Sequence, residues 1–426
     1  MSVRQHARQW EPRTIALSDA ARSLVDEAVE AQFITRKDRL ASVGSIARRN
    51  RGQRADKERS TVEALVLDVL AHWLCNLPEY LVIKLDSNWL SAGPREVTAR
   101  NRTVNDRLYD LCEAGWLVAD KKTRLNNYFV TSLSAGPELI RASRSLNVTL
   151  ADIGVRPSPS EIELRGWKPK GAMTRRPLLE FEPTDETDAI QAQLEELNDC
   201  LRAATLNSAR YDATHIDVRR RTVSRAFLDE AFNRGGRLKG AAFWLSLRKD
   251  VRRSALQIDG EPIAEVDIQA AMPTIAYALE GTKPLEDPYQ LPQPVDIPRD
   301  AVKLTLMQML WTPIGKQSRL AEEARKLVPS NYPAGEVFEL IRQHNAPIAH
   351  RLGNPSPCGA ELMWHESEVI IAATLRCFSG GFSALPLHDA LLVPASRAGQ
   401  AKNILGAAFE ARLGIRPNIK VEIFDR

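Results

Sequence analysis

Cysteine is scarce in this 426-residue chain: five residues, at 75, 112, 200, 358 and 377, odd in number and never in C-x-x-C spacing. That excludes a disulfide framework and a cysteine-zinc site, and it points to a reducing cytoplasm. No apolar run reaches the roughly 18 residues of a membrane span. The first residues, MSVRQHARQWEPR, hold no apolar core of the kind a secretory signal uses. The expectation is a cytoplasmic protein with no membrane contact. Internal repeats and low-complexity tracts are absent too. With 44% hydrophobic and 26% charged residues, the composition excludes bulk disorder and collagen-like chains and allows a sizeable core. The length allows two or three domains.

Neither sign of charge dominates: 58 Lys/Arg against 54 Asp/Glu leave a net +4. The charges are unevenly spread. Residues 219–253 carry eleven Lys/Arg against three acids, and residues 1–59 carry thirteen against eight. Such stretches are either solvated surface or places of polyanion contact.

Four segments follow. Residues 1–59 read as a basic N-terminal arm. Residues 60–133 read as one unit: Ser60-Thr61-Val62-Glu63 has capping-box form, and Leu65, Val66, Val69, Leu70 and Trp73 recur at helical spacing. A second helix spans 101–114, with Gly115 suited to its C′ position. Two strand-like runs, 116–118 and 128–130, flank a basic turn, Lys121-Lys122-Thr123-Arg124. Residues 134–185, with six prolines, read as a connector. Residues 186–426 form the last segment, beginning with a helix over 186–206.

This last segment carries the chemistry. Asp259-Gly260 between two apolar runs signals a hairpin, and alternation puts Glu265 and Asp267 on one side of the second strand. His388-Asp389 sits at the turn of another hairpin. Two acids at the ends of apolar strands are costly to bury unpaired, and either a salt bridge or a cation would resolve that. Between them, Arg299, Lys303, Met307 and Trp311 recur every fourth residue along a helix at 299–311, one stripe with cations at its start. Another helix spans 361–377.

In this order the segments resemble two families. Residues 60–133 resemble winged helix-turn-helix domains, which implies DNA contact by Arg102, Asn105, Arg107, Lys121 and Lys122. Residues 240–395 resemble the palm and fingers of family A DNA polymerases and phage-type single-subunit RNA polymerases. Val266-Asp267-Ile268-Gln269 resembles motif A, Arg299-x3-Lys303-x3-Met307-x3-Trp311 motif B and His388-Asp389 motif C. Asp287-Pro288-Tyr289 resembles a short element before the fingers helix. Where the DNA enzymes carry glutamates, this chain has Met272 and Ala390, and Met307 matches the RNA enzymes. Trp311 stands where both branches use Tyr.

The resemblance implies an α+β fold, with an antiparallel palm, compact helical fingers and an N-terminal winged helix. It implies a template-directed nucleotidyltransferase, DNA or RNA polymerase, working on DNA template, primer and nucleoside triphosphates with two Mg2+ ions, or Mn2+ in their place. Asp267, Asp389 and the Ile268 carbonyl would hold metal. Arg299, Lys303, Met307, Trp311, Ile268 and Met272 would meet the nucleotide, with Lys303 as proton donor. His388, Arg234, Arg237, Lys239, Arg252 and Arg253 would contact nucleic acid, and Trp364, His365 and Glu368 would face the duplex. The alternative is a DNA-binding replication or regulatory protein with an inactive palm.

Overall fold

The computed structural model describes residues 7–76, 80–83, 85, 99, 101, 103–125, 128–156, 162–167, 176–208, 217–240, 242–354 and 358–424. The chain divides into two compact units, one made of 1–160 with 208–220 and the other of 161–207 with 221–426. Both mix helices with sheets that are largely antiparallel.

The first unit begins earlier than its apolar pattern suggests. Ser18 accepts a hydrogen bond from the Ala21 N–H and opens the Asp19–Ala41 helix, which buries Ala21, Leu24, Val25, Ala28 and Gln32. Residues 7–59 are therefore not an arm, because this helix and Trp10 share one core with Leu65, Leu70 and Leu111. The next helix runs Gln53–Leu74 from Gly52, so Ser60 and Thr61 lie inside it. Glu63, expected to cap it, instead accepts from the Ala16 N–H at 3.0 Å. Residues 53–59 are good helix formers without an apolar stripe, which hides them from periodicity. Gly115, φ +74°, does end the Val104–Glu113 helix, with the Trp116 N–H bonded to the Leu111 carbonyl. Strands Leu117–Leu125 and Tyr128–Ala135 pair antiparallel, so Lys121 to Arg124 lie within a strand, not in a turn.

A buried ion cluster sits in this unit. Arg8 donates to both Asp68 oxygens, at 2.5 and 3.0 Å, and to Asp217 at 3.2 Å; Arg219 bonds Asp217 at 2.7 Å. Burial would raise the Asp68 carboxyl, but Arg8, Arg220 and Arg219 outweigh it and hold it below its usual range.

The described residues of the expected connector are structured. They hold the Pro137–Ser145 helix and strands Ile153–Val155, Ile162–Arg165 and Leu178–Leu179. Pro137 opens its helix, where its missing N–H costs nothing. In the second unit the Asp185–Ala203 helix is capped by Thr184. One sheet has the order Ala231–Lys239, Ser224–Leu228, Ile162–Arg165, Leu178–Leu179. A larger sheet places Glu261–Ile268 between Leu256–Ile258 and Ala390–Pro394, with Ile419–Ile423 also paired to it and Leu385–Leu387 beyond. Asp259 and Gly260 both take positive φ, as a two-residue hairpin turn of this twist requires. Helices Ala271–Leu279, Arg299–Trp311, Gly359–Ser379 and Ala398–Leu413 complete the unit. Among the described residues no helix is long and apolar enough to cross a membrane.

Candidate active site

Strand register brings two acids to one end of the larger sheet. Asp267 lies opposite Ala390, and the Ile268 N–H donates to the Asp389 carbonyl at 3.2 Å. Asp389 shares the Leu387–Ala390 turn with exposed His388, whose φ of +57° is unusual outside glycine. Burial pushes the Asp267 carboxyl up to about 7; Asp389 and Glu265 add to this, while Lys303 and Lys249 oppose it. The two aspartates are thus electrostatic neighbours.

A third acid, Glu366, stands on the Gly359–Ser379 helix and is 1% exposed. Burial raises it to about 7 against the pull of Arg237, with Asp389 and Asp267 contributing. The sequence signal was a Glu four residues after buried Leu362, on the helix's apolar face. Arg237 donates to it at 2.6 and 3.0 Å, Ser367 bonds the Gly236 carbonyl at 2.5 Å and Arg225 bonds Glu368 at 2.7 Å. Three consecutive helix residues therefore fasten the hairpin of Ser224–Leu228 and Ala231–Lys239 beside the aspartates.

The donors suit a hard cation. Mg2+ takes one or two carboxylates and completes its shell with water and substrate phosphate. Among the described residues no three His, Cys, Asp or Glu side chains form a cage of their own. The pair fits an ion shared with a phosphate substrate better than a structural metal site.

A pH-dependent result follows. Asp267 and Glu366 are raised above their unfolded values, so the metal-free fold loses stability as pH climbs towards about 7 and feels the full repulsion above it. Millimolar Mg2+ should raise the melting temperature by about 2–6 °C near pH 8 and by less than about 1 °C near pH 5.5. Equal shifts at both would contradict cation binding at these carboxylates.

The Arg299–Trp311 helix buries Ala301, Val302, Thr305, Leu306, Met309 and Leu310. Arg299 and Lys303 are exposed on its other stripe, and Met307 and Trp311 are half-buried there. Arg299 bonds Asp287 at 2.6 Å and lies 5.2 Å over the Tyr289 ring, which explains the Asp287-Pro288-Tyr289 element as an anchor for the start of this helix. Trp311 lies flat against Gly359, where a Cβ would come within 2.6 Å of the indole. Met272 is 5% exposed and the Ile268 side chain 1%. Met272, expected to meet the nucleotide, is core instead.

Most cations expected to track nucleic acid are already engaged. Arg252 is buried and donates to the Leu247 carbonyl at 3.1 Å; Arg253 bonds Glu422 at 2.6 Å and Glu265 at 3.3 Å. Arg234 pairs with Asp229 and Lys239 with Glu163. Trp364, His365 and Glu368 face Arg412 and Arg225. Lys249 and Lys303 are different: both are exposed, and among the described residues neither forms an ion pair. Lys249 had only been part of the basic run.

In the first unit Arg107, expected to be exposed, is 6% exposed and bonds Glu58 at 3.0 Å. Asn101 hydrogen-bonds Thr61 and Thr103. The exposed face of the Val104–Glu113 helix carries Asn105, Asp106, Tyr109 and Glu113, a poor match for phosphate. Lys121 is exposed; Arg102 and the Lys122 side chain lie outside the described residues.

No family model matches the chain, and no curated protein matches it. Among solved structures it is weakly similar to the POL domain of Pol1 from M. smegmatis in complex with DNA primer-template and dNTP. The TM-score is 0.29 and the identity 10%, over 96% of this chain and 66% of that one.

Proposed function

We propose that the chain is a template-directed nucleotidyltransferase, a DNA or RNA polymerase that extends a 3′-hydroxyl with nucleoside triphosphates. The observation that carries this reading is the strand register that brings Asp267 and Asp389 to one end of the larger sheet, with Lys303, which forms no ion pair among the described residues, acting on the Asp267 carboxyl. Perturbed acids next to a free cation mark functional sites more often than structural ones. The order of acid strand, basic helix and acid hairpin supports it.

Bound divalent ions would supply activation of the 3′-hydroxyl and neutralisation of the triphosphate. Asp267 and Asp389 would hold them as carboxylates, with the Ile268 carbonyl as a further donor. The 3′-oxygen attacks the α-phosphorus, its proton passes to solvent, the bond to the β-phosphate oxygen breaks and pyrophosphate leaves. Lys303 binds the β- and γ-phosphates and hands a proton to the leaving pyrophosphate. Arg299, fixed by Asp287, stands one helical turn before it. Met307 and Trp311 press on the base, and His388 meets the strand end. The winged-helix role of the first unit rests on Lys121 and Asn105.

The test is incorporation of labelled rNTPs and dNTPs on a DNA template, with and without primer. Lys303→Ala should raise KM for the triphosphate about 10- to 100-fold, the worth of one charge-assisted contact. A well-folded protein that binds DNA and incorporates nothing in Mg2+ or Mn2+ would move the reading to a DNA-binding protein.

A further inference from the structure

Lys249 opens the Lys249–Ala255 helix, which lies against the Glu261–Ile268 strand. One turn on, Arg253 reaches Glu265 at 3.3 Å. Side chains four apart on a helix are about 6 Å apart along its axis. Side chains two apart on a strand are about 6.8 Å apart. Gln257 pairs antiparallel with Pro262 and Arg253 reaches Glu265, so each step back along the helix moves forward along the strand; Lys249, one turn before Arg253, therefore lies towards Asp267, and its charge is felt there.

The neighbours of Lys249 are occupied. Arg248 pairs with Asp250, Arg252 donates to the Trp244 and Leu247 carbonyls, and Arg253 is shared by Glu265 and Glu422. The segment before the helix is pinned, because the Trp244 indole N–H donates to the Pro386 carbonyl at 2.8 Å. Lys249 is thus an exposed, uncommitted cation on a fixed base, next to the carboxyl that would hold metal.

A reaction at Asp267 has two anionic reactants, the triphosphate and the phosphodiester strand being extended. Arg299 and Lys303, one turn apart on one helix, match the first. The second needs a cation on the sheet side of the site. We propose that Lys249 is a substrate-binding residue that takes a backbone phosphate of the strand whose 3′ end is extended. This rests on the polymerase reading.

The test is anisotropy of the full chain with a fluorescein-labelled DNA duplex bearing a recessed 3′ end, without nucleotide, across salt concentrations. Lys249→Ala should weaken binding about 5- to 10-fold near 0.1 M salt and flatten the salt slope by about one phosphate contact. Lys249→Arg should restore both, and Lys303→Ala should change neither. If Lys249→Ala binds like wild type, or loses only triphosphate affinity, the assignment is overturned. Because binding needs no turnover, the two ideas separate. A wild type that incorporates nothing while Lys249→Ala still loses the duplex sinks the reaction and keeps the phosphate contact.

Discussion

Asp267→Asn is expected to abolish nucleotide incorporation, by about 1000-fold or more, while raising the melting temperature of the metal-free protein. The activity loss follows from removing one of two carboxylates that would hold the ions, whose charge stabilisation is worth several kcal/mol. The stability gain has the opposite origin. Burial, Asp389 and Glu265 all disfavour the Asp267 charge. Its folded value lies above its unfolded one, so the penalty is absent at low pH and complete above about 7. Asparagine keeps the shape and removes the charge. Discounted for solvent screening at a half-buried group, the gain near pH 8 is about 1–2 kcal/mol. Thermal melts without divalent ions, run beside the incorporation assay, check both halves. A destabilised variant that retains activity would contradict the site. On the proposed reading function is set against stability, a common cost of crowding like charges at an active centre.

The largest stability effect belongs to the first unit. Asp68→Ala should cost about 3–5 kcal/mol, because it strips the central anion from a buried cluster. Asp68 is fully buried, accepts from Arg8 and from the Glu11 N–H, and lies 3.7 Å from Arg219 and 4.0 Å from Arg220. Without it, Arg8, Arg219 and Arg220 are left with Asp217, since Arg13 already holds Glu11. Urea denaturation followed by tryptophan fluorescence reads the loss. The double variant Arg8→Met/Asp68→Leu should cost much less, since it removes a charge of each sign and leaves apolar volume. A single-variant cost under about 1 kcal/mol would mean the cluster is solvated.

The two hairpins and the Arg299–Trp311 helix were legible because their patterns are local. Asp-Gly names its own turn, alternation names the faces of 261–268, and the four-residue recurrence names the stripe. The Asp19–Ala41 helix was not, since its buried stripe holds only two large apolar residues, Leu24 and Val25, beside Ala21, Ala28 and Gln32, and passes for polar sequence. Arg107, Arg252 and Arg253 show a second limit. An arginine reads as surface until the fold supplies its partner: Glu58 and Glu422 reach Arg107 and Arg253 from distant parts of the chain, and the turn before its helix aims the Trp244 and Leu247 carbonyls at Arg252. Glu366 shows the converse: a lone acid on an apolar helix face means little until the fold sets it near Asp389.

The central claim is that Asp267 and Asp389 perform template-directed transfer. The most direct measurement is single-nucleotide extension of a primer on a DNA template with a defined next base, in Mg2+, for wild type, Asp267→Asn and Asp389→Asn. Wild type should add the complementary nucleotide and leave the other three, and both variants should add none. Extension by either variant at the wild-type rate, or none by folded wild type in Mg2+ and Mn2+ with either sugar, would contradict the account.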